Sequence, residues 1–582
     1  MRDGRDVVRR RMARPGAGRR FPGFRVHGGV GAAALLAMLA CAAGAVHAQS
    51  VSGQQAQRER AQRQAQQFRQ MRAAPSVRLP GMAATDYRQR ALPAETPCFR
   101  IDTPTLEGAH RAQFGFVQRY LDRYAGRCIG TRGLQLLVKR ASDLVLARGY
   151  VTSRVVIPAQ NLADGHLRLV LLAGTLEAVR YAPGSARLDW RDALPLRPGD
   201  VLNLRAIEQA LEQWRRVPSQ EVKIDIVPGT RPDTSDLVLR VVEGKPWRVI
   251  FSLDDSGAEA TGKEQGGVTF VIDHPLGIND LFSFGVTHSV GHYRGLRGTV
   301  GSNASYSVPW DDWTFTLASW NYAYRQPVTG SLQSFDYTGA ARTTAFTANR
   351  MVYRDTHSKT SVEMVVSVRN AHSYVDGVEI DTQRRLTSAA ELAVLQRRYL
   401  GNAQLDVRLA WRHGTPWFGA QWRKGRRGGP TDRYDMALLD ASLNLPFRAL
   451  SLPWVWTSEL HAQSTGDHLY IEDYLAIGGR YTVRGYDGNV TLGGNHGAYW
   501  RNTLSLPLGA SGSQLYGGVD VGRVGGDPQG DFHSQTLSGA VIGVRGGRWG
   551  LDWDLFAGWP LHAPQGFPER RPSAGMQWLY TF

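Results

Sequence analysis

From Trp247 to Phe582 the chain is a succession of short runs in which apolar and polar residues alternate, punctuated by Gly, Asp, Asn and Pro. A period of two sends successive side chains to opposite faces of a strand. AQLDVRLAW sets Leu405, Val407, Leu409 and Trp411 against Gln404, Asp406 and Arg408. SVEMVVSVR sets Val362, Met364, Val366 and Val368 against Glu363 and Arg369, and GLDWDLFAGW sets Leu551, Trp553, Leu555 and Trp559 against Asp552 and Asp554. A soluble antiparallel sheet has the same period. Here, though, the charges fall in mid-strand on the face that a small soluble barrel would pack dry. Trp and Tyr gather at strand ends, as in an aromatic girdle. A transmembrane antiparallel β-barrel accommodates both features, because its inner face is wet. Residues 250–582, at about 21 residues for a strand and its share of turn, give about 16 strands, an even number as such barrels require. The last run, SAGMQWLYTF, puts Met576, Trp578, Tyr580 and Phe582 on one face, which suits a closing strand in the wall.

Composition narrows the class further. The chain has 582 residues and a mean hydropathy of −0.31 despite 42% hydrophobic residues. Its one apolar stretch of helical-span length is Gly28–Val46, which excludes a polytopic helical membrane protein. That stretch follows Arg9, Arg10, Arg11, Arg19, Arg20 and Arg25 and precedes small residues suited to cleavage after Ala48. Residues 1–48 therefore read as a signal peptide, with an anchor helix as the alternative and Met12 as a second candidate start. Nine Arg against Asp3 and Asp6 in this stretch carry seven of the formal +18, leaving about +11 on the mature chain. A modest basic excess without clusters on one element argues against a nucleic-acid partner.

Export agrees with the cysteines. Cys98 and Cys128 remain once Cys41 leaves with the signal. As a disulfide they close a loop worth about 3–4 kcal/mol by chain entropy; the alternative is two reduced core thiols. Residues 52–73, SGQQAQRERAQRQAQQFRQMRA, are strong helix formers without an apolar stripe. As a helix the segment would be about 33 Å long, and its cations Arg58, Arg60, Arg63 and Arg69 suit a polar cavity; a solvent-exposed leader is the alternative. Pro75, Pro80, Pro93 and Pro97 make 74–97 a linker. Two small α/β units follow, 98–181 and 182–249. In the first, AHRAQFGFVQRYLDRYAG and GLQLLVKRASDLVLARG are amphipathic helices and Leu169–Leu172 a buried strand. In the second, Asn203 opens a helix, LNLRAIEQALEQWRRVP, before the strands EVKIDIVPG and SDLVLRVVEG. No phosphate loop, paired catalytic carboxylates or metal-spaced His set occurs, so no enzyme, cofactor or metal is expected. GASGS at Gly509–Ser513 lacks the final glycine and helix of a nucleophile elbow, and His274, His413 and His496 read as loop or lumen polar groups.

GYVTSRVVIPAQNLADGHLRLVLLAG, LNLRAIEQALEQWRRVPSQEVKIDIVPG, HPLGINDLFSF, GGRYTVRGYDGN and LYGGVDVG together resemble the outer-membrane transporters of two-partner secretion. These are relatives of the haemolysin and filamentous haemagglutinin secretion proteins and of contact-dependent-inhibition transporters. The resemblance spans the mature chain. It implies a 16-stranded barrel preceded by two periplasmic α/β polypeptide-transport-associated (POTRA) domains at 98–181 and 182–249. It also implies that 49–73 plugs the lumen, and that a long extracellular loop folds back inside. Val483, Arg484, Gly485 and Tyr486 then lie within that loop, with Arg484 paired to Asp520 on the inner face of a late strand. By composition alone, Arg484 reads as a solvated loop charge. A wet lumen predicts a screened, position-setting pair.

The implied location is the Gram-negative outer membrane, with the POTRA domains in the periplasm. The implied partners are a large secreted exoprotein with an N-terminal β-helical secretion domain, outer-membrane lipid and lipopolysaccharide, and the barrel assembly machinery. With no nucleotide motif, export draws on binding and on folding of the client outside, without ATP. Leu146, Tyr150, Leu169 and Leu171 are candidates for the client-binding surface or for its supporting core. An outer-membrane insertase of the same superfamily and a porin or surface receptor are the alternative functions.

Overall fold

The computed structural model describes residues 86–291, 297–330, 333–425, 429–509, 512–526, 535–568 and 572–582, together with Val77 and Leu79. The expected signal peptide, 1–48, and plug helix, 49–73, with Arg58, Arg60, Arg63 and Arg69, lie outside the described residues.

Residues 99–172 form the first α/β unit. Strand Thr103–Glu107 runs parallel to His166–Leu172, and Arg154–Val156 flanks the latter antiparallel. The first expected helix is broken into Arg111–Phe114, Gly115–Leu121 and Asp122–Tyr124, of which only the middle piece is α-helical. The second is continuous from Thr131 to Ala147. Phe114, Val117, Leu121, Leu137, Val145, Leu167 and Leu169 are buried between sheet and helices. Cys98 and Cys128 form a disulfide with a Cα–Cα distance of 5.4 Å. It closes one end of a small ladder, Phe99–Ile101 against Arg127–Ile129.

The second unit takes strand Thr175–Tyr181, which pairs in parallel with Thr234–Glu243, itself flanked by Gln220–Pro228. The two sheets therefore divide at Gly174, ahead of the division expected after Tyr181. Asn203 caps the helix Leu204–Arg215 by accepting the Arg205 amide at 2.8 Å. Trp214, Ile207 and Leu211 of that helix pack with Leu237 and Leu239.

Sixteen antiparallel strands, from Trp247–Asp254 to Ser573–Thr581, close into a barrel, the last pairing with the first from Gln577↔Asp254 to Thr581↔Ile250. The hairpin piece Val378–Glu379 extends one loop beyond the wall. Facing follows the alternation: Leu409, Trp411, Met364 and Leu555 are exposed on the outside, whereas Glu363 and Glu391 are buried within. Among the described residues no helix is long and apolar enough to cross a membrane. Phe582 hydrogen-bonds the main chain of Val249, and Lys245 Nζ lies 3.4 Å from the Trp247 ring centroid and 4.0 Å from that of Phe582. A cation over two rings at the wall's edge is the arrangement expected of an interfacial girdle.

Several of the linker's described residues are bound. Glu95 accepts the Arg132 and Gly133 amides at 2.9 and 2.6 Å, serving the helix start at Thr131, where Gly130 has no capping side chain. Arg140 donates to the Ala91 carbonyl at 2.8 Å. Farther upstream, Val77 is buried in the second unit's core.

Candidate functional site

Between the strands Leu452–Ser464 and His496–Pro507 the chain makes a long excursion that returns into the barrel. Two short strands, Leu475–Ile477 and Leu492–Gly494, pair to form its stem. Leu475, Ile477, Val483, Tyr486 and Leu492 pack with Tyr499, Val524 and Leu537 of the wall. This apolar grip holds VRGY.

Arg484 donates from Nε and Nη2 to the two oxygens of Asp520, each at 2.7 Å, and its own amide reaches Asp520 at 2.9 Å. The remaining Nη2 capacity goes to Thr503 Oγ1 at 2.9 Å and the Asn502 carbonyl at 3.3 Å. Asp520 is 1% exposed and Arg484 7%. The expected wet, screened pair is therefore a buried bidentate one, because the loop's apolar residues and the neighbouring strands shut water out. Tyr486 donates to the His562 carbonyl at 2.6 Å and meets Phe567 edge-on at 5.7 Å. Gly485 has φ +111°, and a Cβ there would lie 2.5 Å from the Trp559 carbonyl oxygen. Gly539 is tighter still, since a Cβ would fall 1.9 Å from the Arg484 carbonyl oxygen. Glycine at both positions lets the loop backbone lie on the wall. The arrangement positions a loop; it presents no nucleophile or base, and among the described residues no His/Cys/Asp/Glu group could hold a metal.

The luminal wall is dense with internal ion pairs. Arg408 meets Glu363 at 3.0 Å and also Glu391, which Arg412 bonds at 2.7 Å. Asp440 accepts from His461 at 2.8 Å, Asp406 from Arg397 at 2.5 Å, and Asp554 from Tyr516 at 2.8 Å. Asp406, Asp440, Asp520 and Asp554 thus already have partners in the barrel itself. Asp552, on the same strand as Asp554, is exposed.

In the first unit, Leu169 and Leu171 are 0% and 2% exposed, pointing from one strand face into the core, which removes them from any client-binding surface. Leu146 and Tyr150 are half-buried. Tyr150 packs on Phe114 and Phe116, with ring centroids 4.5 and 6.3 Å away, so part of an aromatic cluster reaches solvent beside the helix Thr131–Ala147.

A second polar constellation went unread in the sequence. The helix Leu204–Arg215 is buried on both sides, one of them polar. Arg354 Nη2 reaches Glu212 at 2.5 Å, Nε reaches Glu208 at 3.1 Å and Nη1 reaches Gln209 at 2.9 Å; Lys359 also pairs with Glu212. Gln213 donates to the Trp313 carbonyl at 3.3 Å and to Thr314 Oγ1 at 3.1 Å. Burial pushes the Glu212 carboxyl up, but hydrogen bonds and charge from Arg354 and Lys359 outweigh it and hold the group below its ordinary value. The sequence signalled only a helix opened by Asn203.

Comparison with known proteins adds to this geometry. The chain matches the family described as haemolysin secretion/activation protein ShlB/FhaC/HecB over residues 233–546. It matches a ShlB-type POTRA domain over 99–174 and a further POTRA domain over 175–228. The outer membrane transporter CdiB-2 of Burkholderia pseudomallei is 40% identical over 530 residues, covering 87% of this chain and 91% of the relative. The hemolysin transporter protein ShlB of Serratia marcescens is 26% identical over 504 residues, covering 84% and 87%. The solved structure of CdiB from Acinetobacter baumannii aligns with a TM-score of 0.81 at 27% identity, over 92% of this chain and 99% of that one.

Proposed function

The chain belongs to the haemolysin secretion/activation protein family of outer-membrane transporters, and on that premise we propose that it exports one large exoprotein by two-partner secretion. It is an outer-membrane barrel with periplasmic POTRA domains, and it moves its client to the cell surface without ATP. The client enters unfolded, its N-terminal β-helical secretion domain met first by the POTRA domains. Tyr150 and Leu146 supply a partly exposed apolar edge for that encounter. In the wall, Arg484 and Asp520 hold the returning loop so that the lumen keeps a defined path. Residues 1–48 direct the chain out of the cytoplasm, and 49–73 plug the resting channel. Lipopolysaccharide surrounds the outer rim, and the barrel assembly machinery inserts the wall.

The observation that carries this reading is the continuity of two POTRA units with a closed sixteen-stranded barrel whose long loop is anchored inside it. An insertase or a porin would not call for that combination with a polar leader segment. The test is co-expression with a candidate client, a large exoprotein that carries an N-terminal β-helical secretion domain. Exoprotein should reach the cell surface with the intact transporter and stay periplasmic when residues 99–228 are deleted. Surface delivery without those residues would overturn the proposed route.

A further inference from the structure

At the periplasmic rim the linker is held through its main chain. The Val77 amide donates to Glu212 Oε1 at 2.6 Å and the Leu79 amide to Glu208 Oε1 at 2.9 Å. Arg354 Nη2 donates to the Val77 carbonyl at 3.0 Å. These bonds use main-chain groups at alternate residues, without reference to side-chain identity. What the groove does select is apolar character: Val77 is 4% exposed among Ile207, Leu211 and Trp214, and Leu79 packs against the same cluster.

The walls of this groove stand without the linker. Glu208 is bonded by Arg205 at 2.6 Å and by Arg354, and Glu212 by Arg354 and Lys359. All four of Arg354, Lys359, Glu208 and Glu212 have side chains less than 10% exposed. When the linker leaves, the carboxylates keep their cations, and what is lost is the two amide bonds, the Arg354 bond to the Val77 carbonyl and two apolar contacts. The groove also opens at the lumen. Lys359 shares its strand face with Glu363, which pairs with luminal Arg408, and Thr314, bonded to Gln213, alternates with lipid-facing Leu317.

We propose that the groove between the helix Leu204–Arg215 and the barrel rim is a reading site for extended polypeptide backbone at the entrance to the lumen, occupied in cis by Val77 and Leu79. An extended segment of the exported client with apolar side chains at alternate positions takes their place. This rests on the export function proposed above. Covalent attachment gives the linker a high effective concentration, so a client must bring several such segments, or the adjacent POTRA contacts, to displace it.

The probe is a fluorescein-labelled peptide of residues 74–84, titrated by anisotropy into the full chain in detergent. Val77→Asp with Leu79→Asp expels the cis segment, and this variant should bind the peptide at least about tenfold more tightly than the wild type, or about 1.4 kcal/mol. Val77→Gly with Leu79→Gly serves the same purpose if the aspartates disturb folding, with heat-modifiable migration reporting an intact barrel. A peptide N-methylated at the two amides, or carrying Asp at the two apolar positions, should not bind. Equal binding to wild type and both variants, or undiminished binding of the N-methylated peptide, would overturn the site. Export of the exoprotein is scored separately in cells: its absence with the wild type refutes the export reading, whereas export with no peptide discrimination refutes the groove alone.

Discussion

Arg484 is the residue on which the luminal loop turns, because three donors of one residue converge on a single buried carboxylate. Arg484→Ala leaves Asp520 with one amide where it had a bidentate fork, which costs the docked loop about 3 kcal/mol. The sixteen-strand ladder does not use the pair, so the variant should still give a heat-modifiable barrel while exporting far less client, and full export would refute the anchor. Arg484→Lys should recover export only in part, since an ammonium cannot present two parallel donors. Gly539→Ala tests position apart from charge. Its methyl would meet the Arg484 carbonyl at 1.9 Å, so the loop must lift although every charged group remains. Export falling as in Arg484→Ala, together with protease access to residues 478–494, is the expected result. Wild-type export would mean that the loop's seat is not needed.

At the level of elements, the first POTRA unit depends on a staple. Strands Phe99–Ile101 and Arg127–Ile129 are too short to hold register alone, and the Cys98–Cys128 bond ties them. Cys128→Ser should lower the stability of that unit by about 3–4 kcal/mol, seen as earlier proteolysis within 99–172, and unreduced peptide mapping should find the wild-type cysteines blocked to alkylation. The barrel strands were legible because every second residue of Ala403–Thr415 or Leu551–His562 faces lipid, a signal carried by each strand alone. Leu204–Arg215 was legible as a helix from its Asn203 cap and apolar stripe, yet its other face was not. Glu208 and Glu212 find Arg354 at separations of 146 and 142 residues, and no local pattern records such a pairing. The linker's attachments were illegible for the same reason: proline content describes stiffness, whereas Glu95 and Val77 are fixed by distant partners. Arg484 and Asp520 were found through resemblance and strand parity, but their burial depended on how Val483, Tyr486 and Leu492 pack, which only the assembled barrel determines.

For the whole molecule, the rim cluster joins POTRA units, linker and barrel, and acid should loosen it. Glu212 is held below its ordinary value in the folded chain, so its contribution is present above the unfolded carboxyl value and is lost as pH falls through the lower folded one. Proteolysis of the POTRA units should therefore accelerate below about pH 4 with the barrel intact. Glu212→Gln should move that threshold, and an unmoved threshold would place the sensitivity elsewhere. The plug prediction belongs to this same scale. Residues 52–73 hold eight Gln and Arg58, Arg60, Arg63, Arg69 and Arg72 against Glu59 alone, so neither lipid nor an apolar core can receive them. Downstream of this segment, Val77 is buried in the second unit's core and its carbonyl accepts from Arg354 of the barrel. The polar lumen is the cavity proposed to receive the segment. Its wall pairs its own Asp406, Asp440 and Asp520, so a helix there would be held by water and by Gln hydrogen bonds more than by ion pairs, which permits release. Deleting residues 52–73 with the signal retained should raise single-channel conductance in planar bilayers and sensitise cells to large antibiotics, while much client export persists. Unchanged conductance from a heat-modifiable deletion variant would return the segment to a solvent-exposed leader.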